Sequence, residues 1–386
     1  MPITLDFMIG LPLEKRGPSY TAARLAEGMD DAACRTRLFT PLDRWPEPGL
    51  SVPVISGAIV NKKLVNAIPF RISQPVTRRI AEHRLIAESR RTGGGRRIIF
   101  LWGEIPLALA HRLKALDVTV VREKFNCGKA VAKAILDDAY GRLGLEPAHQ
   151  ITDAMIAKEH EELHLADAVY CPNAMVAESL RAIDIPDSKL IPTSYGWEPE
   201  RFTGTDRALD PADGPTFLFV GTICVRKGAH ILLEAWKRAG IKGRLVLAGK
   251  IEPAIDALYR DVFDREDVLH VPFTPSVGAF YRSADWFVFP SLEEGGPQVT
   301  YEAGGCGVPG IVSRMGGGAF TRDGIDGRIV ASDDPDAWAE ALTEVAARPD
   351  LRAEYGRNAL ARADQFTWTN VAAQRRAALI DRYAGI

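Results

Sequence analysis

Short apolar runs alternate with longer amphipathic stretches along the whole chain. Brief, nearly continuous apolar runs are the signature of strands covered on both faces, and stretches of helical period between them are their crossover helices. In the first half the pattern predicts strands at 3–9, 36–40, 52–55, 98–102, 118–122, 168–171 and 189–192. It predicts helices at 20–29, 106–115, 129–143 and 152–165. The alternation restarts with strands at 217–220, 244–248, 268–271, 286–290 and 310–313.

Between the halves, Thr203–Thr216 is rich in Gly, Pro and Asp and has no period, as a linker would. The fold class that follows is α/β, with two doubly wound parallel-sheet domains facing a central cleft. Ligands of such sheets bind beyond the carboxyl ends of the strands. The expected division is a first domain over 1–202, the linker 203–216, a second domain over 217–365 and a closing helix over 366–386.

Composition narrows the function classes. The net charge of −2 over 386 residues argues against a chain that coats nucleic acid, so no nucleic-acid partner is expected. Five scattered cysteines without a Cys-x-x-Cys pair fit a reducing compartment. The N-terminal stretch lacks a basic region and carries Asp6 among its apolar residues, so it reads as a strand and not a signal peptide. The expected location is the cytoplasm. The average hides one polarised segment: residues 60–98 hold ten Lys or Arg against Glu82 and Glu88. Two readings stay open there, a solvated helix face or a surface for anionic membrane lipid at the inner face of the membrane.

Two segments carry candidate chemistry. In Ala284–Pro309 a strand ends at Pro290-Ser291, a loop Leu292-Glu-Glu-Gly-Gly296 follows, and a helix is expected to open at Pro297. Loop glycines before a helix N-terminus leave backbone N–H groups for an anion. Glu294 would stand at the strand's edge and Glu302 in the second helical turn, where carboxylates can accept hydrogen bonds from sugar or ribose hydroxyls. In the second segment, a strand ending at Gly221 is followed by Arg226-Lys227-Gly228 and a helix. Cations at a helix N-terminus oppose its dipole, so a ligand anion such as a diphosphate explains them better than local stability does.

The combination resembles the retaining glycosyltransferases of family 4, the GT-B proteins of glycosyl transferases group 1. Glu294-Gly-Gly-Pro-Gln-Val-Thr-Tyr-Glu302 matches that family's pair of glutamates separated by seven residues. Ala303–Pro309 matches its continuation, and Gly221 with Lys227-Gly228 matches its diphosphate loop. Glu159–Glu162, Pro172-Asn173 and Tyr195–Phe202 are similar to its end-of-first-domain pattern, and Met315–Gly318 to its glycine-rich loop.

The resemblance implies a first domain for the acceptor, a second for a nucleotide sugar, and a last helix that crosses back. Arg226 and Lys227 would hold the donor diphosphate, Glu302 the ribose, and Glu294 the donor sugar. Backbone at Gly295, Gly296, Pro297, Gln298 and Val299 would face sugar or phosphate, with Gly221 and Thr222 in the diphosphate loop and Gly17 approaching from the first domain. No metal and no cofactor are implied, since the cationic pair takes the ion's place. The acceptor would be a glycan or lipid-linked hydroxyl. The sequence departs from the family at Thr222, where Arg is frequent, and at Arg122–Gly128, which lacks a His.

Two motifs compete. His160-Glu161-Glu162-Leu163-His164 spells the helix of a zinc-dependent hydrolase, with two histidines one turn apart and a general base, but no third ligand follows in a recognisable context. Gly305–Gly310 spells a dinucleotide fingerprint, yet it would end a helix and open a strand, the reverse of the order that motif needs. A non-catalytic nucleotide-sugar-binding module of the same fold is the third reading.

Overall fold

The computed structural model describes residues 2–58, 70–91, 96–116, 118–331 and 333–383. Two all-parallel sheets organise the chain. The first contains β1 (Ile3–Ile9), β2 (Cys34–Thr40), β3 (Val54–Ser56), β4 (Arg97–Trp102), β5 (Thr119–Glu123), β6 (Ala168–Cys171) and β7 (Leu190–Pro192). The second contains β8 (Thr216–Val220), β9 (Arg244–Ala248), β10 (Val268–Val271), β11 (Trp286–Phe289), β12 (Gly310–Val312) and β13 (Gly327–Ile329). Their orders are 3-2-1-4-5-6-7 and 10-9-8-11-12-13. Each sheet therefore reverses direction once, at β1/β4 and at β8/β11, and these switch points open a crevice at the strand ends.

β1 shows why these residues make a central strand. Its apolar positions are buried on both faces, and its single acid, Asp6, has no exposed surface. Asp6 lies opposite Arg37 on β2 and accepts hydrogen bonds from Arg37 Nε at 2.7 Å and Nη2 at 2.9 Å. A buried carboxylate held by a two-pronged guanidinium is tolerated where a lone one is not.

Two large cores result, one built around Phe217, Trp236, Trp286 and Trp338, the other around Phe7, Phe100, Trp102 and Tyr170. The second of these takes in Tyr301, Phe320 and Phe366, whose ring centroids lie 5.2–5.6 Å apart. The two halves are thus joined by an aromatic seam. Residues 203–215 are not free of the second sheet's layer: the Ala208 N–H bonds to Ser283 Oγ at 2.9 Å, and Arg282 Nε donates to the Asp206 carbonyl at 2.7 Å. The last helix, Trp368–Tyr383, lies on the helix Gly17–Met29, with Arg376 Nη1 donating to the Gly28 carbonyl at 3.0 Å.

Part of the basic segment 60–98 lies outside the described residues. Within them, helix Phe70–Ser89 carries Arg78, which pairs with Glu82 at 3.1 Å, and Arg84, which donates to the Ser56 carbonyl at 2.6 Å. Arg91 pairs with Glu88 at 3.3 Å and Arg97 with Asp6 at 3.7 Å, so several of these charges are engaged locally. No helix among the described residues is long and apolar enough to cross a membrane.

Candidate active site between the two sheets

The loop after β8 and the loop after β11 meet at the second switch point. After Gly221, Val225–Lys227 forms a single 3-10 turn and Gly228, at φ 70°, turns the chain into the helix Ala229–Ala239. A Cβ at Gly228 would overlap the Pro290 carbonyl, so the two loops can approach this closely only with glycine there. The Leu292 N–H then bonds to the Arg226 carbonyl at 3.0 Å, tying one loop to the other.

This contact brings the expected residues together. Lys227 Nζ lies directly against Glu294 Oε1, and Arg226 Nη1 stands 3.4 Å from the same oxygen. Ser291 Oγ donates to that carboxylate at 3.1 Å. Burial, and then the Arg226 charge, pushes the Lys227 ammonium down to about 7, against which Cys224 and Glu293 work only in part. A diphosphate arriving here would offer the two cations a stronger anionic partner than Glu294.

The helix opens at Gln298 and not at Pro297, which serves as its N-cap, and it runs to Gly305. Proline's fixed φ suits either position, and its extended ψ of 99° puts it just outside the helix. Glu302 lies in the second turn and is buried. Its Oε2 accepts from Tyr281 OH at 3.2 Å, and Arg201 Nη1 stands 3.9 Å from Oε1. Burial raises the Glu302 carboxyl above the usual carboxylate range, and Arg201 and Tyr281 only partly offset this.

The first half closes over this loop. Glu293, beside Glu294, accepts hydrogen bonds from Asn126 Nδ2 at 2.9 Å and from the Cys127 N–H at 3.1 Å. Asn173 Nδ2 donates to the Gly295 carbonyl, and Gln298 Nε2 donates to Thr21 Oγ1 at 3.1 Å. A Cβ at Gly295 would overlap the Phe125 carbonyl, and one at Gly296 would meet the ring of Tyr195.

Beside this contact lies a cleft of about 920 Å³, lined by Gly17, Tyr20, Tyr195, Arg201 and Gln298 among others. Gly17, at φ 61°, opens the helix Gly17–Met29 and so points that helix's N-terminus at the cleft. The expected residues therefore fall into two groups. Gly17 and Gln298 wall the open cleft, while Arg226, Lys227 and Glu294 form a largely buried cluster off its lining. Glu302 is linked to the cleft through Arg201. Gly221 packs against Gly249, Thr222 is exposed, and the Val299 carbonyl accepts from Tyr281 OH at 3.3 Å.

The zinc motif does not gather ligands. His160, Glu161 and His164 lie on the outer face of helix Asp153–Leu165, Glu161 paired with His111 Nε2 at 2.7 Å and His164 Nδ1 against the His160 carbonyl at 2.8 Å. Among the described residues no three His, Cys, Asp or Glu side chains stand close enough to hold a metal ion. Gly305 ends a helix and Gly310 opens β12, the order that excludes a dinucleotide fingerprint.

Glu293, Tyr281, Arg201 and Asn126 were not among the residues expected from the sequence. The Glu293-Glu294 doublet was visible, but adjacency in sequence does not say which carboxylate turns back to the first half.

By fold the chain is a GT-B protein of two parallel-sheet halves, and its second half resembles a known family. Residues 214–348 match the family described as glycosyl transferases group 1. The chain is 30% identical over 234 residues to the D-inositol 3-phosphate glycosyltransferase of Saccharomonospora viridis, covering 54% of each. It is 29% identical over 269 residues to the protein of that name from Xylanimonas cellulosilytica, covering 66% of this chain and 62% of the relative. The matched stretch thus spans little more than half the length of these curated relatives. Among solved structures, Anabaena HepE in complex with UDP superimposes with a TM-score of 0.65 at 15% identity, over 99% of this chain and 100% of that one.

Proposed function

We propose that the protein transfers a sugar from a nucleotide-diphosphate sugar to a hydroxyl group of a glycan or lipid-linked acceptor, with retention at the anomeric carbon, in envelope or exopolysaccharide synthesis. The observation that carries this reading is the meeting of Arg226 and Lys227 with Glu294 at the β8/β11 switch point, in the stretch that matches the group 1 family. UDP bound to HepE, a protein of the same fold, supports a nucleotide donor.

In this reading the two cations take the donor diphosphate and stabilise the charge that develops on it as the bond from the anomeric carbon to the phosphate oxygen breaks. The acceptor oxygen bonds to that carbon from the same face, and its proton passes to the departing phosphate. Glu294, released from Lys227, accepts from sugar hydroxyls, and Glu302 from the ribose. Arg226 and Lys227 supply the positive charge without a metal ion. The basic segment 60–98 would bring the enzyme to an anionic bilayer carrying a lipid-linked acceptor, which liposome co-sedimentation tests.

The deciding experiment measures hydrolysis of a panel of nucleotide sugars with and without EDTA, together with the thermal shift each nucleotide produces. Turnover that persists in EDTA is expected. Failure of every nucleotide and nucleotide sugar to move Tm would overturn the proposal, and turnover abolished by chelation would restore a metal-dependent reading.

A further inference from the structure

At the edge of the second sheet opposite the candidate active site lies a cavity of about 390 Å³, where the linker passes the amino ends of β8 and β11. Pro211, Pro215, Val345, Ala346 and Pro349 give it an apolar wall, and Arg207, Arg352 and Asp285 supply its charge. It shares no lining residue with the larger cleft. The linker is pinned over it. The N–H groups of Ala208 and Leu209 bond to Ser283 Oγ at 2.9 and 3.1 Å, and Arg244 Nη2 donates to the Asp210 carbonyl at 2.9 Å. A cavity roofed by chain that is already fastened down needs little further ordering when a ligand enters.

We propose that this cavity is a second small-molecule site, separate from the sugar-transfer site, and that it takes a carboxylate carried on a compact apolar ring.

The state of the charged groups argues for one negative charge. Asp285 is engaged, its Oδ2 accepting from the Thr216 N–H at 2.8 Å. Arg352 Nε stands 3.6 Å from Asp285 Oδ1, beyond hydrogen-bond reach, and it is shut off from solvent without a hydrogen-bond partner. Among the described residues Arg207 meets no carboxylate, and its Nη2 donates to the Ser283 carbonyl at a long 3.4 Å. A donor withheld from water without an acceptor is costly, so these guanidiniums are short of acceptors. Two of them against one carboxylate leave a single positive charge in the lining. One ligand carboxylate cancels that charge and matches the planar fork of arginine. A second negative charge on the ligand would face Asp285 with no lining cation left to balance it.

The opposite wall sets the rest of the ligand. Proline rings with Val345 and Ala346 reward the burial of carbon. The confined volume favours a ring over a flexible chain, whose rotatable bonds would have to be frozen on binding.

Saturation-transfer NMR and titration calorimetry on the full chain, with and without UDP, test the proposal. The probes are benzoate, phenylacetate and indole-3-acetate, each against its neutral amide, with acetate and phenyl phosphate for comparison. At least one ring carboxylate is expected to bind, its amide and acetate at least tenfold more weakly, and phenyl phosphate no more tightly. UDP should not displace it. Arg207→Gln and Arg352→Gln should each weaken the ring carboxylate at least tenfold. Ala212→Trp, which fills the cavity from the linker without removing a charge, should abolish its binding, with a Tm near that of the parent showing that each variant is folded. Equal binding of the amide, tighter binding of phenyl phosphate, displacement by UDP, unaltered binding in any of the three folded variants, or no binding of any of the three ring carboxylates would each overturn the assignment.

Discussion

Arg375 and Glu123 form a salt bridge in which neither side chain has any exposed surface, with Nη1–Oε2 at 2.8 Å and Nη2–Oε1 at 3.2 Å. Arg375 comes from the last helix and Glu123 ends β5, directly before Lys124 and Phe125. The same guanidinium donates to the Ser194 carbonyl at 2.8 Å and lies over the rings of Tyr170 and Tyr195 at 5.0 and 5.4 Å. The last helix therefore fixes the strand end that leads into Phe125, on the wall of the cleft. Removing one member of such a pair leaves a buried charge alone, at a cost of about 3–5 kcal/mol, whereas replacing both is far milder. Arg375→Leu should lower thermal stability by about that much, and Glu123→Gln combined with Arg375→Met should recover most of it. A single variant that melts like the parent would contradict this account.

Lys227 links donor binding to pH. Its ammonium is pushed down to about 7, and only the charged form attracts a diphosphate. Because the folded-state value is depressed, the neutral amine grows as pH rises through 7. Nucleoside diphosphate affinity should accordingly be greatest below pH 7 and weaken by up to about tenfold per pH unit above it. Lys227→Arg, which stays protonated throughout, should flatten the profile, and Lys227→Ala should abolish most binding at every pH. Titration calorimetry showing the same affinity for the parent across this range would remove Lys227 from the diphosphate site.

The sheets and the paired glutamates were legible in the sequence because they rest on local signals. Apolar runs of strand length and a fixed seven-residue interval survive without tertiary information. Elements without such a signal were missed. β13 (Gly327–Ile329) has three residues, too few for a period, and its strand state comes from pairing with β12. Gln298–Gly305 was found, but with its start set one residue early, since proline is at home on either side of the boundary. Arg375 looked like one more polar position on an amphipathic helix, and only the packing of that helix against the first sheet buries it. Lys124 sits in Arg122–Gly128, a stretch whose only sequence signal is the absence of a His, and its burial beside Glu159 depends on a helix some 30 residues later.

Gly295 controls the approach of the two halves. Its Cβ position is taken by the Phe125 carbonyl, and its own carbonyl accepts from Asn173. Gly295→Ala should push the Glu293–Gly296 loop away from Phe125, breaking the Glu293 bonds to Asn126 and Cys127. A larger radius of gyration by X-ray scattering is expected, with sugar transfer reduced on the order of a hundredfold, the scale set by a misplacement of about 1 Å. Nucleotide affinity should fall much less, because Arg226, Lys227 and Glu302 all lie on the second half. Unchanged scattering together with unchanged transfer would show that closure at this point is not required.

Glu302 is an acid whose place costs the fold stability. Burial holds its carboxyl above the usual range, and Arg201 at 3.9 Å with Tyr281 at 3.2 Å compensates only in part. A folded-state value raised above that of the unfolded chain means that the native protein binds this proton more tightly. The associated stability is complete below the unfolded value near 4.5 and is lost as pH rises through the folded one. At neutral pH, above the unfolded value, the buried acid is therefore a net burden to the fold. Glu302→Gln keeps the shape and removes the charge, so it should melt a few degrees higher than the parent at pH 7, with the gap closing as the pH falls toward 4. The same variant should lose most of the thermal shift produced by nucleotide, because a carboxylate that accepts from ribose hydroxyls has become an amide. Greater stability paired with weaker nucleotide binding is the outcome expected of a residue kept for its ligand. If Glu302→Gln instead destabilises the free protein at neutral pH, Glu302 is a structural partner of Tyr281 and Arg201.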